Sequence, residues 1–313
     1  MCEKNMCKPP QGKPFLKWAG GKGQMINNIV NYLPDINNVD IYVEPFVGSG
    51  AVMFWLVNNY PNIKKVVIND LNMELVNLYQ TIKCHVEELI SELKVLEIEY
   101  CKRQTQEERA EYYYQKRTEY NSIDLSSRAG SIRLAALFIF LNKTCFNGLY
   151  RVNSKNLFNV PVGKYVRPNI CNEDNLRNVH VLLERVEILN GDYSASLQYV
   201  GSKSFYYLDP PYKPISGTSS FNSYNSILFD DKQQIRLKEF CDKINEYDGK
   251  FMLSNSDPKS VDETNTFFDR LYEAYNIHRV LAKRNINSRG DKRGEINEIL
   301  ITNYQTETST RDH

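Results

Sequence analysis

Apolar and polar positions along the chain fall into two recurring patterns. Short β-branched and aromatic runs appear at "DIYVEP" (40–45), "KKVVIND" (64–70), "RVEILNGD" (185–192), "SFYYLDP" (204–210), "KFMLSNS" (250–256) and "EILITNY" (298–304). Several are almost continuously apolar, which is the pattern of strands covered on both faces. Helical spacing separates several of them, over 24–33, 51–58, 73–83, 231–247 and 259–268. This alternation predicts an α/β fold with a mostly parallel sheet. The middle of the chain differs: charged helical sequence over 85–121, an apolar helix over 132–142, then a loop-and-strand stretch. The expected organisation is therefore one α/β domain from 1–84 and 180–313, with a subdomain inserted at 85–179. The last residues, "QTETSTRDH", read as a frayed end.

Composition narrows the function classes. No apolar run approaches the roughly 18 residues of a membrane helix, and the first residues lack the apolar core of a signal peptide. The 7 cysteines are scattered, with no C-x-x-C pair and no His at metal-ligand spacing. We therefore expect no metal site and a cytoplasmic, reducing setting. Net charge is only +1, yet residues 125–172 contain no Asp or Glu while holding Arg128, Arg133, Lys143, Arg151, Lys155, Lys164 and Arg167. Such a one-sign island in a neutral chain predicts a polyanion partner.

Two motifs carry chemistry. "YVEPFVGSGAVMFWL" (42–56) reads as strand, glycine turn, helix. Gly48 and Gly50 let the backbone approach a ligand closely, at the place where open α/β sheets bind ligands. Asp70 ends the next strand, about twenty residues further on, where an acid can accept from ribose hydroxyls. Glu44 and Phe46 in the loop disfavour a pyrophosphate and suit a cationic ligand; S-adenosylmethionine is cationic and has no phosphate. A nicotinamide enzyme would carry G-x-G-x-x-G, which is absent.

The second motif is Asp209-Pro210-Pro211-Tyr212 at the end of a strand. The exocyclic amine of adenine is a poor nucleophile because its lone pair is delocalised. Two acceptors aimed at its N–H bonds, the Asp209 carboxylate and the Pro210 carbonyl, favour the pyramidal nitrogen. The prolines hold that carbonyl rigidly and contribute no stray donor, and Tyr212 offers a stacking face. By composition alone the tetrapeptide would arise in roughly one chain in a thousand of this length, so a plain turn is a poor account of it.

These stretches, with "FLKWAGGK" (15–22), "FNGLYRVNSKNLFNVPVGKY" (146–165), "GDY" (191–193) and "LSNS" (253–256), resemble N6-adenine DNA methyltransferases of the Dam type, the alpha group of the D12 class. The middle stretch resembles members that act on GATC, including those paired with restriction enzymes. The resemblance implies a Rossmann-like methyltransferase sheet with an inserted, mainly helical target-recognition subdomain carrying a β-hairpin. It implies S-adenosylmethionine as donor, held by Trp18, Lys22, Glu44, Phe46, Gly48, Gly50, Asp70, Asp192, Tyr193 and Asp209. The partner it implies is double-stranded DNA, read by Lys17, Leu149, Arg151, Asn153, Pro161 and Tyr165, with Phe146 and Asn147 at the gap left by a flipped base. A hairpin turning at "SKN" suits a major groove. Cytosine N4, an RNA adenine, or a non-catalytic DNA-binding role remain as alternatives. The basic run 278–298 is expected to close over DNA or to be a solvated loop.

Overall fold

The structure is a computed structural model describing residues 11–18, 20–212, 229–283 and 295–306. Its strands are β1 (Ile41–Glu44), β2 (Lys65–Asp70), β3 (Val186–Asn190), β4 (Ser204–Leu208), β5 (Lys250–Ser256), β6 (Asn276–Lys283) and β7 (Glu295–Thr302). They form one sheet in the order β3-β2-β1-β4-β5-β7-β6. The first five are parallel, and β7 runs antiparallel to both its neighbours. Strand residues alternate between two cores. Tyr42, Val66, Ile68, Phe205, Tyr207, Met252 and Leu300 face one, while Val43, Val67, Tyr206, Leu208, Phe251, Leu253 and Ile299 face the other. This is the period-2 consequence of the pleat, and it explains why these strands read as unbroken apolar runs.

The helices are α1 (Ile26–Val30), α2 (Ala51–Asn59), α3 (Met73–Cys101), α4 (Gln106–Tyr120), α5 (Arg128–Thr144), α6 (Glu173–Leu183), α7 (Asp231–Glu246) and α8 (Phe267–Leu271). Between β2 and β3 the described residues add no strand to the sheet; α3 to α6 and a short ribbon lie there. Helix α3 starts at the sheet, capped by the Asn72 side chain, and bends at His85, whose φ is −142°. The expected division near residue 84 falls at that bend; the one near 180 falls inside α6. Helix α4 opens with a capping box of Thr105 and Glu108. The expected helices at 24–33 and 259–268 are present only as short pieces, α1 and α8 with 3-10 turns.

Strand β6 was read as part of a basic run. It is an edge strand paired on one side only, and charged residues on such edges are common because they discourage further pairing. Residues 284–294 of that run lie outside the described residues, as do 307–313 of the expected frayed end.

The sheet reverses its winding between β1 and β4: the chain runs outward through β2 and β3, then returns to the other side of β1. The carboxyl ends of these strands meet at this switch point, the usual ligand crevice of open α/β sheets. Above β1, Gly48 has φ 49° and Gly50 φ 69°, and Gly50 caps α2. A Cβ on Gly48 would lie 3.0 Å from the Trp18 indole nitrogen.

Leu137 is fully buried on α5, which packs along α3. Leu137→Ala should cost about 2–5 kcal/mol, read from the urea midpoint at unchanged slope. Gly48→Ala should cost about 1–2 kcal/mol from the left-handed backbone alone. The same denaturation measurement checks it, and Gly23→Ala, with open space around its Cβ and no left-handed φ, is the control.

Candidate active site and the 146–165 ribbon

Each strand end at the switch point delivers one acid. Glu44 closes β1, Asp70 closes β2, Asp192 follows β3 and Asp209 follows β4. Asp70 shapes the glycine turn directly: Gly48 N–H donates to its Oδ2 at 3.1 Å and Asn72 N–H to its Oδ1 at 2.9 Å. Burial raises its pKa. Tyr79 closes the turn from α3, donating to the Gly48 carbonyl at 3.0 Å. Trp18 stacks with Tyr150 and Phe138, at ring-centroid distances of 5.6 and 6.3 Å, beside the same turn.

Glu44 is 3% exposed. Burial pushes its carboxyl up to about 8; the Tyr42 hydroxyl, donating at 2.6 Å, opposes that, and Asp209 repels it further. Asp209 is pushed up to about 6, chiefly by burial; Lys22 pulls it down and Glu298 pushes it up. Lys22 Nζ lies 2.7 Å from Asp209 Oδ1, donates to the Gly20 carbonyl at 3.0 Å, and stands 4.6 Å from the centroid of the Tyr212 ring. Lys22 as a whole is only 5% exposed. The Tyr212 hydroxyl is bonded to Glu298 Oε2 at 2.6 Å and to Ser254 Oγ at 2.8 Å. The Lys22 ammonium therefore answers Asp209 directly and Glu44 at longer range, while Glu298 acts on Asp209 from the other side. A site that gathers carboxyl groups in this way disfavours phosphate and suits a cationic ligand.

The other predicted donor residues lie on the same edge but are engaged differently. Phe46 packs against Tyr193 and Phe229, with centroids 5.2 and 6.2 Å away. Tyr193 is buried, and its hydroxyl has no hydrogen-bond partner among the described residues. Asp192 caps a 3-10 turn by accepting from Ser194 N–H and takes a two-pronged bond from Arg236 of α7, both at 2.8 Å. Arg236 holds its carboxyl down at about 2. Pro210 is buried and Pro211 exposed. Glu298 and Ser254 escaped the motif reading as functional groups. The signal available for Glu298 was an acid embedded in the apolar pattern of β7.

The 146–165 segment folds back on itself at the "SKN" turn. Asn153 N–H donates to the Leu157 carbonyl, the Asn153 side chain accepts from Lys155 and Leu157 N–H, and Asn156 takes a φ of 62°. The two arms meet in isolated bridges, Val152 with Phe158 and Cys145 with Val162, so it is an irregular ribbon rather than two full strands. Pro161 supplies no ladder donor, and Asn147 and Gly148 bend the first arm with positive φ. Arg151 braces the arms, donating from Nε to Asn159 Oδ1 at 2.8 Å. Phe146 is 52% exposed, and Asn147, Asn153 and Pro161 are exposed with it. Leu149 is half-buried, as is Tyr165, over whose ring Lys17 Nζ sits at 4.1 Å.

The basic island is narrower than its sequence suggested. Arg128 pairs with Glu88, and Arg133 pairs with Glu92 and Glu119, so both are neutralised by acids of α3 and α4. Lys17, Lys143, Arg151, Lys155, Lys164 and Arg167 make no ion pair among the described residues. Burial and the nearby Lys17 charge lower the Lys143 pKa. No group of His, Cys, Asp and Glu suited to a metal occurs among the described residues, and no helix there is long and apolar enough to cross a membrane.

The chain is similar along most of its length to several known proteins. The chain is 48% identical over 296 residues to the type II methyltransferase M.MjaIII of Methanocaldococcus jannaschii, covering 93% of this chain and 99% of that one. It is 37% identical over 298 residues to the type II methyltransferase M1.LlaDCHI of Lactococcus lactis subsp. cremoris, covering 93% and 95%. It is 31% identical over 301 residues to the DNA adenine methylase of Salmonella typhi, covering 96% and 98%. The family model for D12 class N6 adenine-specific DNA methyltransferases matches residues 18–286. The strand-end acids, the glycine turn and the Asp-Pro-Pro-Tyr stretch all fall within that match, and the chain belongs to the D12 class of N6 adenine-specific DNA methyltransferases.

Proposed function

We propose that the chain methylates N6 of the adenine in GATC within duplex DNA, using S-adenosylmethionine, after that base has been flipped out of the stack. The observation that carries this reading is the half-buried Asp209 carboxylate at the end of β4, with Lys22 on one of its oxygens and the Tyr212 ring alongside. When bound, the donor supplies an electrophilic methyl carbon on a positively charged sulfur. Trp18, Lys22, Glu44, Phe46, Gly48, Gly50, Asp70, Asp192 and Tyr193 hold it, and the acid-rich pocket favours its charge.

Asp209 then exchanges its bond with Lys22 for one from the incoming amine, and the Pro210 carbonyl takes the second N–H. With both hydrogens held by Asp209 and the Pro210 carbonyl, the nitrogen lone pair points outward, where the donor, when bound, would supply its methyl carbon and keep the C–S electron pair on sulfur. The surplus proton leaves the nitrogen through Asp209 to water. Tyr212 stacks on the purine, and Pro211 keeps the loop rigid.

Residues 85–179 form the target-recognition insert of this proposal. Lys17, Leu149, Arg151, Asn153, Pro161 and Tyr165 read base edges, while Lys155, Lys164 and Arg167 touch phosphates. Phe146 and Asn147 fill the vacated position, offsetting a flipping cost of a few kcal/mol. A ribbon suits the B-form major groove and not the deep, narrow groove of A-form RNA, which favours DNA over RNA. The GATC assignment rests on the likeness of residues 146–165 to GATC-acting members. The names of the two type II relatives support a role beside a restriction endonuclease. The described cysteines are free thiols, in keeping with a reducing cytoplasm.

Tritium transfer from labelled donor onto duplexes altered at one base of GATC tests the reading. Transfer should be confined to the intact site, and Asp209→Ala should abolish it while duplex binding persists. Normal turnover by that variant would defeat the mechanism. Asp209 accepts only when ionised, so single-turnover rates should fall as pH drops through about 6. Lys22 lowers that pKa, so Lys22→Met, assayed at saturating donor, should move the acid limb to higher pH.

A further inference from the structure

Strand β7 supplies no residue to any of the recognised motifs, yet it places a carboxylate beside the catalytic loop. Glu298 is 6% exposed and is followed by Ile299, Leu300 and Ile301, all buried. An acid in such a place is costly unless it is bonded. Its partner is Tyr212, whose hydroxyl approaches Glu298 Oε2 to 2.6 Å. The tyrosine has one proton, which goes to the carboxylate; Ser254 of β5 therefore donates its own hydroxyl to the tyrosine oxygen, 2.8 Å away. Two adjacent strands thus pin the far end of the ring, while Lys22 stands over its face.

We propose that Glu298 is a positioning residue for methyl transfer, fixing the Tyr212 ring through its hydroxyl and setting the charge felt by Asp209. The proposal rests on the roles given above to Asp209 and Tyr212. A ring held at both ends presents one face to the purine, so the base arrives with its amine at Asp209 rather than rocking with the loop. A neutral acceptor would satisfy the hydroxyl as well; a carboxylate in that place also acts on Asp209. The groups acting on Asp209 come from every side: Lys22 from the N-terminal loop, Glu44 and Tyr42 from β1, Tyr207 from β4, Tyr212 from the loop itself and Glu298 from β7. Lys22 pulls the Asp209 pKa down and Glu298 pushes it up. Glu298 therefore keeps Asp209 a better proton acceptor than an ion pair with Lys22 alone would leave it.

The test uses the full chain with Glu298→Leu, Glu298→Gln, Tyr212→Phe and the double variant Glu298→Leu/Tyr212→Phe. Single-turnover transfer is read at saturating duplex and donor, and donor affinity by calorimetry. Glu298→Leu and Tyr212→Phe should each slow transfer about tenfold at saturating donor, the worth of one hydrogen bond to a charged group. The double variant should be no slower than the slower single one, because both remove the same bond. Glu298→Gln keeps an acceptor but loses the charge, so its acid limb should move to lower pH. Losses that multiply in the double variant, or a folded Glu298→Leu with full rate, would overturn the positioning role. An unmoved acid limb in Glu298→Gln would overturn the electrostatic one. If Glu298→Leu fails to fold, Glu298→Ala, which also removes the acceptor, replaces it in the cycle with Tyr212→Phe. Asp209→Ala run alongside separates the two levels: an active Asp209→Ala defeats the parent reading, whereas an inactive one with full-rate Glu298 variants defeats this inference alone.

Discussion

An imbalance of charge governs the centre of this molecule. Glu44 and Asp209 stand at the ends of neighbouring parallel strands, Glu298 approaches from an antiparallel one, and among the described residues Lys22 alone answers them. Burial removes the water that would otherwise screen these groups, so each proton and each cation there matters more than at the surface. Glu44 relieves part of the strain by holding its proton up to about 8, and Asp209 does so up to about 6. A pocket poised in this way gains from a positively charged guest, because the guest lets the acids ionise at lower cost. The fold makes the arrangement possible by bringing the winding reversal between β1 and β4 to the same spot.

What the sequence disclosed follows from how local each feature is. The glycine turn, Asp70 and Asp209 each sit at the end of their own apolar run, so strand, turn and acid could be read together within a few residues. The central strands were legible because both faces are buried, leaving unbroken apolar stretches. Edge strand β6 was not, because one open side admits Arg279 and His278 into the pattern. Glu298 was hidden for the opposite reason: its neighbours are so apolar that the strand was recognised and the one acid in it passed over. The Lys22–Asp209 contact joins residues nearly the whole domain apart, which no local spacing encodes.

The basic island shows how composition misleads when partners come from elsewhere. No Asp or Glu follows Arg128 and Arg133 before Glu173, yet α3 and α4 bring Glu88, Glu92 and Glu119 against them. Those two arginines bridge α5 to α3 and α4. The charge left for a polyanion is carried by the ribbon and its flanks, a smaller and better aimed surface than a count over residues 125–172 implies.

Helix α3 belongs to both halves of the molecule. It rises from the Asn72 cap beside Asp70, bends at His85, and ends where the Tyr100 hydroxyl grips the Tyr165 carbonyl at 2.9 Å. The reach from the glycine turn to the 146–165 ribbon is therefore fixed by a screw thread and not by a tether. One extra residue before the bend would swing everything beyond it by about 100°. The ruler between the strand-end acids and the ribbon is thus cut in whole turns, and lengthening it by a single step would turn the ribbon away from the side on which those acids stand.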